Sequence, residues 1–245
     1  MAKFKELMDE AKKFFDAEDY NTAEIIYTEA IELNPKSDEA YYRRGRSFSE
    51  LENYDSAAVD YSKVIELNPN YKNAYWYRAF AYKNLKMYEK AVEDFTKYIQ
   101  LNTNYEWTYY QRAYIYLKLK QYDAAILDST KAIRIDSNEA SFYNQRGWIY
   151  CKTENYKRAL PDCNKAIELN SSYTAAYDSR GWVYFGLKNY ESAIADFSKA
   201  LELDSKHRIS YYGRGKCYEA LGETEKARAD FATAEKLGFT EEDLD

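Results

Sequence analysis

The sequence predicts an all-α protein made of seven consecutive helix-turn-helix repeats, and two periodic residues and one spacing pattern carry this prediction. Alanine recurs every 34 residues from Ala23 to Ala227, and tyrosine recurs at the same interval from Tyr20 to Tyr190. Apolar residues between these markers follow a helical spacing. A repeat of this length that runs along the whole chain is typical of stacked helical units rather than of a globule with one central core.

The repeat boundaries follow from the period. The seven repeats are residues 4–37, 38–71, 72–105, 106–139, 140–173, 174–207 and 208–241, with short tails at 1–3 and 242–245. In residues 38–71, taken as positions 1 to 34, apolar or small residues at positions 4, 8, 11 and 14 predict a first helix. Positions 20, 24, 27 and 28 predict a second helix, which ends at Asn68-Pro69.

Small residues mark the predicted contact between the two helices of a repeat. Position 8 is Gly or Ala and position 20 is Ala in every repeat. Glycine inside a helix costs about 1 kcal/mol relative to alanine, so its use here favours close helix packing with tyrosines around the contact. With aromatic residues at positions 4 and 11, this pattern resembles the tetratricopeptide repeat. The resemblance implies a right-handed α-solenoid whose first helices line a concave groove.

A repeated pair of opposite charges is predicted to connect the two helices. Position 7 is arginine from Arg44 to Arg214, and position 23 is aspartate from Asp60 to Asp230, in the same six repeats. We expect an Arg–Asp pair in each of them that fixes the helix register and binds no ligand. The Asp128→Ala variant is predicted to be unstable, and Arg112→Leu in the same chain is predicted to restore much of the loss.

The candidate binding residues are those that the resemblance places on the groove. All four tryptophans fall at such positions, and large exposed apolar surfaces usually mark interaction sites. The alternative is that these rings pack against the neighbouring first helix. The predicted partner-binding residues are Arg43, Arg46, Trp76, Tyr77, Phe80, Trp107, Tyr110, Tyr114, Trp148, Trp182 and Phe185.

Composition and motifs argue against other classes of function. The formal charge of −6 does not suit a nucleic-acid binder, and no membrane contact, metal or cofactor is expected. Three cysteines without a CxxC motif indicate reduced thiols in a cytoplasmic protein. The single histidine, His207, is expected to be a solvated turn residue. No enzyme is indicated, because no catalytic constellation stands out from the repeated positions.

The sequence therefore predicts a non-enzymatic adaptor or scaffold that holds a protein segment, as an extended peptide or a helix, in the aromatic groove. The carboxylate clamp of chaperone-binding family members is absent, since position 5 carries no lysine in any repeat. The alternative is a self-assembling module that forms homo-oligomers. One local irregularity stands out: Pro161 inside a second helix predicts a kink or a late helix start.

Overall fold

The computed structural model describes residues 1–101 and 105–244, and these form two compact units, Met1–Thr108 and Tyr109–Asp245. We call them the N-terminal and the C-terminal unit. The described residues contain α-helices and one short 3₁₀ helix, Glu241–Leu244. The α-helices are α1 Ala2–Asp16, α2 Tyr20–Leu33, α3 Asp38–Glu50, α4 Tyr54–Leu67, α5 Lys72–Asn84, α6 Tyr88–Leu101, α7 Glu106–Lys118, α8 Tyr122–Ile135, α9 Ala140–Lys152, α10 Tyr156–Leu169, α11 Thr174–Gly186, α12 Tyr190–Leu203, α13 Arg208–Ala220 and α14 Thr224–Lys236. The predicted class is confirmed: an all-α solenoid of helix-turn-helix repeats.

The turn inside each repeat has the same backbone geometry throughout. Position 15 adopts a left-handed conformation, with φ between 57° and 62° at six non-glycine residues from Glu18 to Lys188 and 76° at Gly222. After the turn, a polar side chain caps the second helix in several repeats. Asp19, for example, accepts a hydrogen bond of 3.1 Å from the backbone N–H of Thr22. The fixed turn length explains why the second helix begins at position 17 in each repeat, at a tyrosine in the first six and at Thr224 in the last.

Close helix packing explains the small residues. The position 20 alanines from Ala23 to Ala193 are fully buried. A Cβ atom placed on Gly45 would lie 2.9 Å from the ring of Tyr61, and one placed on Gly181 would lie 2.7 Å from the ring of Phe197. The paired helices therefore approach closely at position 8, and an alanine at Gly45 or Gly181 would force the facing ring to shift.

The predicted arginine–aspartate pairs are confirmed in all six repeats. Each guanidinium donates from Nε and Nη2 to both oxygens of the aspartate, at 2.7–2.8 Å. In five of these pairs, those of Arg44, Arg78, Arg146, Arg180 and Arg214, the remaining Nη1 donates to a polar residue on the preceding second helix, as from Arg44 to Thr28 at 3.1 Å. One guanidinium therefore connects three helices, and it lies between the tyrosines or phenylalanines three residues before and four residues after it, as Arg44 does between Tyr41 and Phe48.

Of the kink or late helix start predicted at Pro161, the late start is wrong, and the kink stays a prediction. Helix α10 begins at Tyr156, the position at which its counterparts begin, and continues past Pro161 to Leu169. Pro161 is exposed, and so is Lys157, whose carbonyl loses its helical partner to the proline. Water can donate a hydrogen bond to that carbonyl, so the helix tolerates a proline at this position. Within the described residues, none of the helices is long and apolar enough to cross a membrane.

Candidate functional site

The predicted binding residues divide between the two units. Arg43, Arg46, Trp76, Tyr77, Phe80 and Trp107 belong to the N-terminal unit, and Tyr110, Tyr114, Trp148, Trp182 and Phe185 belong to the C-terminal unit. Tyr114 is exposed at 37%, and the other ten are partly buried. Their surroundings differ, so each group is described in turn.

Trp76 in the N-terminal unit is surrounded by rings of its own unit. Its ring centroid lies 5.1 Å from that of Phe80, 5.3 Å from that of Phe95 and 5.1 Å from that of Tyr98. The ring of Tyr105 packs on it as well, at 5.1 Å. Contacts at these distances are those of an aromatic core cluster. The alternative from the sequence has the groove rings pack against the neighbouring first helix, whereas Trp76 contacts Phe80 on its own helix and Phe95 and Tyr98 on α6, the second helix of the same repeat.

The two arginines predicted to bind a partner, Arg43 and Arg46, contact nearby side chains. Arg43 donates to Glu39 at 2.6 Å, and the guanidinium of Arg46 lies 5.1 Å from the ring centroids of both Phe15 and Tyr77. A cavity of about 120 Å³ lies beside them. It has room for little more than a few water molecules. These cations therefore have intramolecular partners before any ligand arrives.

Trp182 also packs internally. Its ring contacts those of Phe185, Phe197 and Tyr212 at centroid distances of 5.6, 5.4 and 6.3 Å. Its indole Nε1 is buried without a hydrogen-bond partner among the described residues. The Trp182 ring therefore packs mainly within its own repeat, through Phe185 and Phe197, and reaches the next repeat through Tyr212.

A larger cavity lies among the first helices of the C-terminal unit. Its volume is about 280 Å³, enough for one or two side chains of a ligand. Helices α7, α9 and α11 supply most of its wall. It is lined by Tyr110, Tyr114, Leu117, Lys118, Asn144, Gln145, Trp148, Ala175, Asp178, Ser179, His207, Ile209 and Asp243. We call this the C-terminal pocket; it brings together Tyr110, Tyr114 and Trp148 from the predicted set.

The wall of the C-terminal pocket combines aromatic rings with cations. The ammonium of Lys152 lies 5.8 Å from the ring centroid of Trp148, and that of Lys118 lies 5.6 Å from that of Tyr114. Asn144 on the wall has a buried side-chain oxygen that accepts no hydrogen bond among the described residues.

A polar cluster forms another part of the pocket, and the expectation for His207 is wrong. Its Nδ1 lies 2.8 Å from Ser210 Oγ and 3.7 Å from Asp178 Oδ1, so the ring is not a solvated turn group. The Ser210 hydroxyl donates to Asp178 at 2.6 Å. Burial raises the pKa of Asp178, and His207 and Ser210 oppose that effect. No sequence pattern predicts this contact, because neither Asp at position 5 nor His at position 34 recurs in the other repeats.

Neither this cluster nor the cysteines have the arrangement of a nucleophilic site. Ser210 is fully buried and donates its hydroxyl proton to Asp178, whereas a serine nucleophile is accessible and donates that proton to the histidine that acts as the base. Burial raises the pKa of Cys151 and of Cys217 to about 12, so both thiols stay protonated. Among the described residues, no group of three or more His, Cys, Asp or Glu side chains is placed to hold a metal ion.

Comparisons with known proteins identify the repeat. Two family models described as tetratricopeptide repeat match the chain, one at residues 38–71, 140–173 and 176–207 and the other at 73–105, 108–139 and 210–237. No match was found among curated protein sequences.

Solved structures of similar fold support the same assignment. A tetratricopeptide repeat protein from Parabacteroides merdae is 23% identical, with a TM-score of 0.84 over 100% of this chain and 96% of its own. YrrB, described as having an unusual peptide-binding site, is 22% identical, with a TM-score of 0.62 over 75% of this chain and 95% of its own. MamA is 25% identical, with a TM-score of 0.63 over 69% and 92%. With family matches over more than half of its length, the chain belongs to the tetratricopeptide repeat family.

Proposed function

We propose that this protein is a non-enzymatic scaffold that binds a peptide segment of a partner protein in the C-terminal pocket. The observation that carries the proposal is the composition of the pocket wall: the rings of Tyr114 and Trp148, each with a lysine ammonium beside it, around a cavity of about 280 Å³. Tryptophan, tyrosine and arginine dominate the energetically important positions of protein interfaces.

The shape and chemistry of the pocket favour a peptide over a small cofactor. A cavity of this size takes one or two side chains of a longer ligand, while the ligand backbone crosses the first helices around it. Of the related folds, YrrB is described as a peptide-binding repeat protein, which suggests the ligand class to test first.

The remaining predicted residues have a lesser part in this proposal. Trp76, Trp182 and Phe185 contact rings of their own units, and Arg43 and Arg46 have intramolecular partners. We assign these five residues mainly to packing, and Tyr110, Tyr114 and Trp148 to the contact with the partner.

The test is a peptide array probed with wild-type protein and with the Trp148→Ala variant. We expect the variant to lose most of the peptides that the wild type captures. Trp76→Ala is the matched control, because it removes the same side chain from the N-terminal unit. Circular dichroism establishes that both variants keep their helices. Peptides retained equally by wild type and Trp148→Ala would refute the pocket as the site.

Light scattering on the same samples tests the alternative of self-assembly. A scaffold that binds a separate partner is expected to keep one molar mass as its concentration rises. Growth of the molar mass with concentration would support homo-oligomers instead. Running the variants in parallel shows whether any such growth depends on Trp148.

A further inference from the structure

The chain already places one of its own segments at the C-terminal pocket. Residues Phe239–Leu244, here called the tail segment, follow the last helix and turn back at Gly238, where φ is 79°. The ring of Phe239 stacks on that of Tyr212, with centroids 4.2 Å apart and planes at 16°. The tail segment thus begins with an aromatic contact to α13.

An acidic side chain of the tail segment reaches the pocket. Asp243 lines the cavity, and both of its carboxylate oxygens accept hydrogen bonds from Arg208, at 2.6 and 2.8 Å. The N–H of Thr240 donates to the same carboxylate at 2.9 Å, so the tail segment is folded to present it. The Arg208 hydrogen bond lowers the pKa of Asp243, and nearby Lys118 adds to that effect.

The backbone of the tail segment makes a further contact with the pocket wall. Lys152 donates from Nζ to the carbonyl oxygen of Leu244 at 2.9 Å. This is the same ammonium that lies over the ring of Trp148. An aromatic stack, a bidentate carboxylate and a main-chain carbonyl therefore hold six residues against the C-terminal unit, in the way that a bound peptide is held.

We propose that the partner of the C-terminal pocket is an acidic peptide with an aromatic residue four positions before its anchoring carboxylate, and that the tail segment is an intramolecular copy of this ligand that the partner must displace. This inference rests on the proposed function and adds the chemistry of the partner. It concerns an internal acidic side chain, since Asp243 is recognised through its β-carboxylate.

Charge and tethering explain why such a tail would regulate binding. Arg208 binds Asp243, Lys118 lies near it, and Lys152 binds the carbonyl of the adjacent Leu244. In a chain whose net charge is −6, these cations favour acidic segments at the pocket. A tethered segment acts at an effective concentration of the order of millimolar. If the state with the tail segment bound is about ten times more populated than the open state, the apparent affinity for a free partner falls about tenfold.

The probe is a fluorescein-labelled peptide with the sequence of residues 239–245, titrated by fluorescence anisotropy. We expect a chain that ends at Gly238 to bind it about tenfold more tightly than the full chain does. Asp243→Asn in the full chain keeps the Phe239 contact and is expected to give an intermediate affinity. This second variant preserves the test if the shortened chain proves unstable.

Two controls separate recognition from general charge attraction. A probe with asparagine in place of the Asp243 residue, and the Arg208→Gln variant of the shortened chain, are each expected to weaken binding at least about threefold, since each removes the bidentate ion pair. Equal affinities of the full and shortened chains, or equal binding of both probes, would overturn the inference. The proposed function is judged separately, by the loss of array peptides in Trp148→Ala.

Discussion

Two tryptophans of this chain, Trp76 in the N-terminal unit and Trp148 in the C-terminal unit, occupy comparable helices in very different surroundings. Trp76 contacts the rings of Phe80, Phe95, Tyr98 and Tyr105. Trp148 lines a cavity, with the ammonium of Lys152 over its ring. Both residues lie on first helices, which the family resemblance assigns to the groove.

The difference shows that an aromatic residue on a first helix does not by itself define a binding site. A ring enclosed by other rings contributes to stability, whereas a ring beside a cavity and a cation can also contribute to binding. We therefore expect substitutions around Trp76 to lower mainly the stability of the fold, and substitutions around Trp148 to lower mainly the affinity for the partner. The arginine–aspartate pairs are alike in both units, so the stability lost when a pair is broken is the reference for the tryptophan variants.

The largest expected effect is the loss of a buried ion pair. Asp94→Ala in the N-terminal unit and Asp128→Ala in the C-terminal unit should each lower the free energy of unfolding by about 3–5 kcal/mol, because the guanidinium is left buried without its partner. Urea unfolding measures both. Adding Arg78→Leu or Arg112→Leu should recover much of the loss, and strictly additive losses would contradict the pairing.

Replacing the two tryptophans is expected to have the next largest effect on stability. Trp76→Ala should lower the free energy of unfolding by about 3 kcal/mol, since it empties the centre of an aromatic cluster. Trp148→Ala should cost less, because part of its ring already faces a cavity. Thermal unfolding by circular dichroism compares them. A greater loss in Trp148→Ala would reverse the roles that we assign to the two regions.

Exchanges at position 8 test whether helix packing is equally close in both units. Gly181→Ala places a Cβ 2.7 Å from the Phe197 ring. The overpacking destabilises the fold by about 1–3 kcal/mol, and the higher helix propensity of alanine stabilises it by about 1 kcal/mol. We expect a small net loss. Ala79→Gly in the N-terminal unit should also lose about 1 kcal/mol. A melting temperature of Gly181→Ala above that of the wild type would show that Phe197 can move aside.

The smallest expected effect is a pH dependence from Asp178 in the C-terminal pocket. Because burial raises its pKa in the folded state, its contribution to stability is largest below its ordinary pKa of 3.8 and falls as pH rises through the raised value. Asparagine does not titrate, so the melting temperature of Asp178→Asn relative to the wild type should rise with pH in that window. A constant difference between pH 4 and 7 would argue against this shift.

Much of the fold was predictable because each repeat places the same residue types at the same positions. Arg44 and Asp60 could be paired from sequence, since both charges recur together at fixed positions and neither occurs in the first repeat. The bond from Arg44 to Thr28 was missed, because threonine, serine and asparagine alternate at that position. The left-handed conformation of turn residues such as Glu52 and Lys120 was not predictable either. Glycine, the usual marker of this conformation, occupies the position only at Gly222.

The candidate site was less predictable, because it depends on features that do not repeat. The family resemblance selected Trp76 and Trp148 alike, and the sequence could not tell which ring would be enclosed. The contact between His207 and Asp178 joins positions 34 and 5 of one repeat, and the other repeats carry different residues at both positions. The tail segment lay partly outside the periodic part of the chain, so no pattern placed Asp243 beside Arg208.

The comparison between the two units is tested most directly by one titration. A peptide captured by the wild type on the array is titrated against the wild type, Trp148→Ala and Trp76→Ala by fluorescence anisotropy. We expect Trp148→Ala to weaken binding about thirtyfold, the effect of losing a central interface residue, and Trp76→Ala to change the Kd less than about threefold. Strong loss in Trp76→Ala with normal affinity in Trp148→Ala would place the binding site in the N-terminal unit instead.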